Sequence, residues 1–208
     1  RDPAINTAWG ELFLDRQQFG EAVKSFQMAL ADDPRHVPAM LGLARALAND
    51  NPPAAVGAAR KILEINPSSV ETHVFLAGQA ADAGKRDEAR QLLQKALSVN
   101  PNSLDAHSVL AALAYVEDKQ PEFEAEVANV LAIAPTYGDV YRVAGEHTAH
   151  AYRFDEAVTL VRRALSLEPR NQRALADLGV HLLRTGDEPG ARETLEASFK
   201  LNPYDVVT

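Results

Sequence analysis

ETHVFLAGQAADAGKRDEARQLLQKALSVNP, residues 71–101, contains two helices and the stop signal of each. Apolar residues recur at helical spacing in its first part (Val74, Leu76, Ala77, Ala80, Ala81), and Gly84 supplies the left-handed conformation that ends a helix. Asp87 then offers an N-cap or first-turn carboxylate to a second helix through Leu92, Leu93, Ala96 and Leu97. Asn100-Pro101 closes it, because proline cannot continue a helix and disfavours helical geometry in the residue before it. The stretch predicts a helical hairpin.

The same phrase runs the length of the chain. Pro34, Pro67, Pro101, Pro135, Pro169 and Pro203 are 33, 34, 34, 34 and 34 residues apart. Twelve residues before them stand Ala22, Ala55, Ala89, Phe123, Ala157 and Ala191; five before them stand Ala29, Ile62, Ala96, Val130, Ala164 and Ser198. Small residues have a physical task there, since anything larger than Ala holds two closely crossing helices apart. The expected units are 3–36, 37–69, 70–103, 104–137, 138–171 and 172–205. Unit two is one residue short, and Asn49-Asp50-Asn51-Pro52-Pro53 predicts a tighter, stiffer loop between its helices. Unit four places Phe123 at a small position and Ala114 where a large residue is usual, an exchange of volume across the helix pair.

Composition agrees with a helical stack. The 208 residues include 36 Ala and 24 Leu against 11 Gly. With no cysteine there is no disulfide framework and no thiolate metal site. The net charge of −8 argues against general nucleic-acid or anionic-membrane binding, and no apolar run is long enough to span a bilayer. Nearly all of that charge falls in residues 105–208, which carry 10 basic and 17 acidic groups, so a positively charged partner should prefer that end. Arginine outnumbers lysine 15 to 6 in an alanine-rich chain, which fits a GC-rich bacterial source. A soluble protein of cytoplasm or periplasm suits these features. The chain opens at Arg1 without Met and stops just after Asn202-Pro203-Tyr204, and it reads as a piece of a longer polypeptide.

In this pattern the chain resembles the tetratricopeptide repeat family. Unit one carries Trp9-Gly10, Phe13, Ala22, Phe26, Ala29 and Pro34; unit six carries Leu178-Gly179, Leu182, Ala191, Leu195 and Pro203. The resemblance covers residues 3–203. It implies an all-α, right-handed superhelical solenoid of six helix pairs, and an interaction scaffold whose first helices line a concave groove.

The sequence carries few chemical motifs. There is no phosphate-cradling glycine loop, no GxSxG and no HExxH, so no catalytic residue, metal site or cofactor is expected. The nearest cluster is Glu146-His147-Thr148-Ala149-His150, but unit alignment turns His150 to the groove and His147 to the packed side, so the two should diverge. His73 and His107 stand at equivalent places and should pack between units. Glu117, Asp118, Glu122, Glu124 and Glu126 read as the turn and start of a solvated helix.

Projection of the first helices assigns the groove to Leu41, Arg45, Val74, Gly78, Ser108, Ala112, Tyr115, Arg142, Glu146 and Arg173. The middle would be apolar and small, with the arginines at the margins to pair with carboxylates of a peptide or protein segment. The register needed to clamp a chaperone's C-terminal carboxylate is missing: the positions fall on Thr7, Glu11, Gly42, Glu71 and Phe75. Leu195, Phe199 and Leu201 would leave an apolar edge on the last helix, suited to self-association. Two further readings stand beside the scaffold: the recruiting region of a larger enzyme, and a structural spacer.

Overall fold

The computed structural model describes residues 2–201; Pro203 and Tyr204 of the sixth unit lie outside the described residues. Among the described residues there are twelve helices. They are α1 (Pro3–Asp15), α2 (Phe19–Asp32), α3 (Val37–Leu47), α4 (Pro52–Ile65), α5 (Val70–Asp82), α6 (Arg86–Val99), α7 (Leu104–Val116), α8 (Gln120–Ile133), α9 (Asp139–His150), α10 (Phe154–Leu167), α11 (Gln172–Thr185) and α12 (Glu188–Leu201). Odd and even helices pair as antiparallel hairpins, and the six hairpins stack into a right-handed superhelical solenoid. No helix among the described residues is long and apolar enough to cross a membrane.

The repeat is written into caps and turns. Ser69, Ser103 and Asn171 occupy one position in three units, and each accepts a hydrogen bond from the backbone N–H three residues on. Five of the six turns inside the hairpins contain a residue of positive φ at one register: Gln17, Gly84, Asp118, Tyr152 and Gly186. The next N–H reaches back into the preceding helix, Lys85 to the Ala80 carbonyl and Arg153 to that of Thr148. Gly84 thus ends its helix as the sequence requires. Asp87 does not cap α6, whose N-cap is Lys85, and takes the first-turn place instead.

Unit two departs from expectation. The missing residue comes out of the helix, not the loop: α3 has 11 residues against 13 in α5. Its loop, residues 48–51, is longer than the 83–85 turn. Asn51 is used to cap Ala54, and Pro52 and Pro53 preset the first turn of α4. The expected tightening is therefore incorrect.

The small positions close the core. Ala22, Ala55, Ala89, Ala157 and Ala191 are buried, as are Ala29, Ile62, Ala96, Val130, Ala164 and Ser198. Phe26 lies in a slot made by glycine: a Cβ on Gly10 or Gly42 would come within 2.5 or 2.3 Å of its ring. In unit four the volume exchange is visible. Phe123 is buried beside Ala114, edge-on to Tyr115 at 5.0 Å and to Tyr141 at 6.2 Å.

The junction between units four and five is unlike those at either end. Helix α9 packs more extensively on α7 than on α8, whereas α3 and α11 rest mainly on α2 and α10. Ser108, Ala111 and Ala112 on α7 are buried and small enough to admit the backbone of α9. The curl continues to the ends, where Arg173 Nη2 of α11 comes within 3.4 Å of Asp15 Oδ1 of α1. Both side chains are exposed, so the pair marks proximity more than stability.

Candidate functional site

The concave side is built by the odd helices, but its wall is not the uniform apolar trough that projection suggests. Leu41 is buried against Ile62 and Phe75. Ser108 is buried and its hydroxyl donates to the Leu104 carbonyl. Ala112 is sealed by the approach of α9. Tyr115 is half-buried on Phe123, with Arg153 stacked 5.6 Å from its ring centroid and its hydroxyl donating to Glu156. The remaining residues of the set, Arg45, Val74, Gly78, Glu146 and Arg173, are half-buried or exposed.

Arg142 corrects the expectation of an arginine waiting for a ligand. Its side chain is only 13% exposed, and its guanidinium already meets Asp139 at 2.8 Å, Glu146 at 3.2 Å and Asp177 at 3.3 Å. Burial disfavours its charge, but the three carboxylates more than compensate and raise its pKa. Burial pushes the Asp177 carboxyl up to about 6; Arg142 opposes this and Glu146 reinforces it. This cluster ties α9 to α11.

The two histidines of α9 also depart from expectation. His147 and His150 do not diverge: their Nδ1 atoms lie 3.0 and 2.9 Å from the same oxygen of Asp82, at the end of α5. Burial works against the Asp82 charge, yet the two imidazoles hold its carboxyl well below the usual range. The Asp82 hydrogen bond in turn raises His150. All three border a cavity of about 170 Å³ shared by α5, α7 and α9, with Arg86, Ala112, Leu113 and Val116 completing its wall. Sequence reasoning missed Asp82, which is 65 positions from its nearer partner.

The other histidines bear out inter-element packing. His73 and His107 repeat one contact, each donating through Nε2 to the carbonyl of the proline six residues earlier, Pro67 and Pro101. His181 is buried, neither ring nitrogen has a partner among the described residues, and burial lowers its pKa.

The acidic stretch is solvated at Asp118, Glu122 and Glu124, as expected, but not throughout. Glu117 is 11% exposed and receives Arg90 of α6 and Lys119, Asp118 receives Arg153, and Glu126 lies 2.6 Å from His107. Glu117 and Asp118 link neighbouring units, and Glu126 ties α8 to α7 within its own. On α12, Leu195 is half-buried over Gly179, while Phe199 is 47% exposed.

Two family models described as tetratricopeptide repeat match the chain, one over residues 46–113 and 149–203 and the other over residues 7–70. No curated protein matches it. Solved structures with this architecture include TTC0263, a thermophilic TPR protein of Thermus thermophilus (TM-score 0.69, 19% identity, 87% of this chain and 99% of that one). A chain of the APC/C hetero-tetramer Cut9-Hcn1 is similar too (TM-score 0.67, 17% identity, 99% of this chain and 41% of that one). So is human IFIT1, solved as a dimer with m7Gppp-AAAA (TM-score 0.67, 17% identity, 100% of this chain and 52% of that one). The chain therefore spans about two fifths to one half of the last two. At these identities the likeness is one of fold.

Proposed function

Because the chain belongs to the tetratricopeptide repeat family, whose stacked hairpins serve as interaction scaffolds, we propose that it is a non-catalytic scaffold holding a protein segment along the open part of its concave face. The observation that carries this reading is Gly78. It stands inside α5, one turn after Val74 and one turn before Asp82, where a Cβ would meet nothing within 4 Å. Glycine in a helix interior costs roughly 0.5–1 kcal/mol relative to alanine, and no neighbour among the described residues demands it. Close approach of a ligand's backbone accounts for it. Arg45 stands exposed on α3, the preceding first helix, to pair with carboxylates.

The test keeps folding and binding apart. Gly78→Leu should leave helicity intact, hold or raise the melting temperature, and abolish capture of partners by the immobilised chain. Gly57→Leu, on the outer helix α4 where an added side chain also meets nothing, is the matched control. Equal capture by both variants would discard the groove. Substitution at Leu41, Ala112 or Tyr115 tests nothing, because those side chains are spent on packing.

Absence of catalysis is supported by what the perturbed groups do: Glu117, Arg142 and Arg153 each pair with an opposite charge from a neighbouring unit, Arg90, Asp177 and Asp118. The acidic second half favours protein over nucleic acid, and an RNA oligomer belongs in the binding assay as a competitor. A second reading concerns the far end. Leu183 and Phe199 are exposed on one rim, suited to a second copy of this chain. Phe199→Glu should then reduce the mass measured by light scattering, and an unchanged mass would remove this reading.

A further inference from the structure

We propose that Asp82, His147 and His150 form a binding site for a divalent first-row transition ion, zinc being the best match. The three offer one carboxylate oxygen and two imidazole nitrogens, and these atoms all lie within 4.8 Å of one another. Each Nδ1 is about 3 Å from the shared Asp82 oxygen. A tetrahedral zinc with bonds of about 2.0–2.1 Å sets its ligands roughly 3.3–3.4 Å apart, so the two contacts to Asp82 need to open by only a few tenths of an ångström, and the two nitrogens already lie within 4.8 Å of each other. Two nitrogen donors select zinc, cobalt, nickel or copper over calcium or magnesium, which take oxygen.

The surroundings suit an open coordination position. The cavity of about 170 Å³ beside the three ligands has room for several waters at roughly 30 Å³ each. Three protein ligands and one exchangeable position result, and the fourth donor is water or a group on a bound segment. The site joins the end of α5 to the end of α9 across α7, which packs closely on α9 with Ser108, Ala111 and Ala112 buried. A bound ion would therefore clamp unit three to unit five and stiffen the curvature of the stack.

The experiment titrates zinc sulfate into the full chain, freed of any histidine tag, by calorimetry, with the melting temperature recorded alongside. One ion should bind per chain and raise the melting temperature. Asp82→Asn and His150→Ala should each weaken binding about 10–100-fold while circular dichroism stays unchanged. His36→Ala, remote from the site, should bind as the parent does. Absence of one-to-one binding in the parent overturns the proposal. So does binding that survives both Asp82→Asn and His150→Ala.

Discussion

Arg90 of α6 grips Glu117, in the turn between α7 and α8, through two parallel contacts, with Nη1 to Oε1 at 2.9 Å and Nη2 to Oε2 closer still. This bidentate pair joins unit three to unit four, and Lys119 completes the shell around the carboxylate. The hydrogen bonds from Arg90 lower the Glu117 pKa from 4.5 to about 2, against the opposing effect of burial. A depressed folded-state pKa contributes stability that is present above pH 4.5 and lost as pH falls through about 2. Glu117→Gln should cost about 2 kcal/mol at pH 7 and only a small fraction of that near pH 2. Urea unfolding at both pH values measures the difference, and an equal cost at both would show that the charge is not what matters.

Phe26 makes a second linkage, between units one and two. It is fully buried, and a methyl group on Gly42 would sit 2.3 Å from two of its ring carbons. The ring cannot yield in a closed core, so Gly42→Ala should destabilise by roughly 1–3 kcal/mol. Phe26→Leu trims the ring and should recover part of that loss in the double variant. Strict additivity of the two costs in a double-mutant cycle would contradict the contact.

Phe123 tests the volume exchange of unit four. Its ring is held by Tyr115, Tyr141 and the small residues Ala111, Ala112 and Ala114. Phe123→Ala should cost about 3–5 kcal/mol. The same variant removes the support under α7 where α9 rests, so backbone exchange should rise in α7 and α9 before α1 and α2. Uniform protection would mean that the stack transmits the loss as one body.

How far the sequence went is clearest at this same place. Proline spacing and the small positions made the six hairpins legible, because each is a local consequence of packing two helices closely. The angle between hairpins is not local. It depends on the summed volumes at each junction, so a regular projection put His147 and His150 on different sides and left Ala112 open. In the structure Ser108, Ala111 and Ala112 let α9 drop onto α7, and both histidines then reach Asp82. Arg142 failed for a similar reason: Asp139 and Glu146 were visible at helical spacing, but Asp177 comes from the next unit. The loop of unit two failed because a missing residue can be taken from either the helix or the turn.

Tyr152 carries the cost of a repeated turn. Its φ is +62° at the register where Gly84 and Gly186 stand, and its side chain is 84% exposed. The left-handed conformation costs a non-glycine residue about 1–2 kcal/mol, while glycine loses about 0.5–1 kcal/mol more backbone freedom on folding. Tyr152→Gly and Tyr152→Ala both remove the edge-on contact with Phe154, so comparing them cancels it. Glycine should therefore be the more stable of the two by about 0.5–1 kcal/mol, the reverse of their order inside a helix. Chemical denaturation of the pair reads this directly, and alanine proving equal or better would mean that the turn relaxes out of the left-handed region.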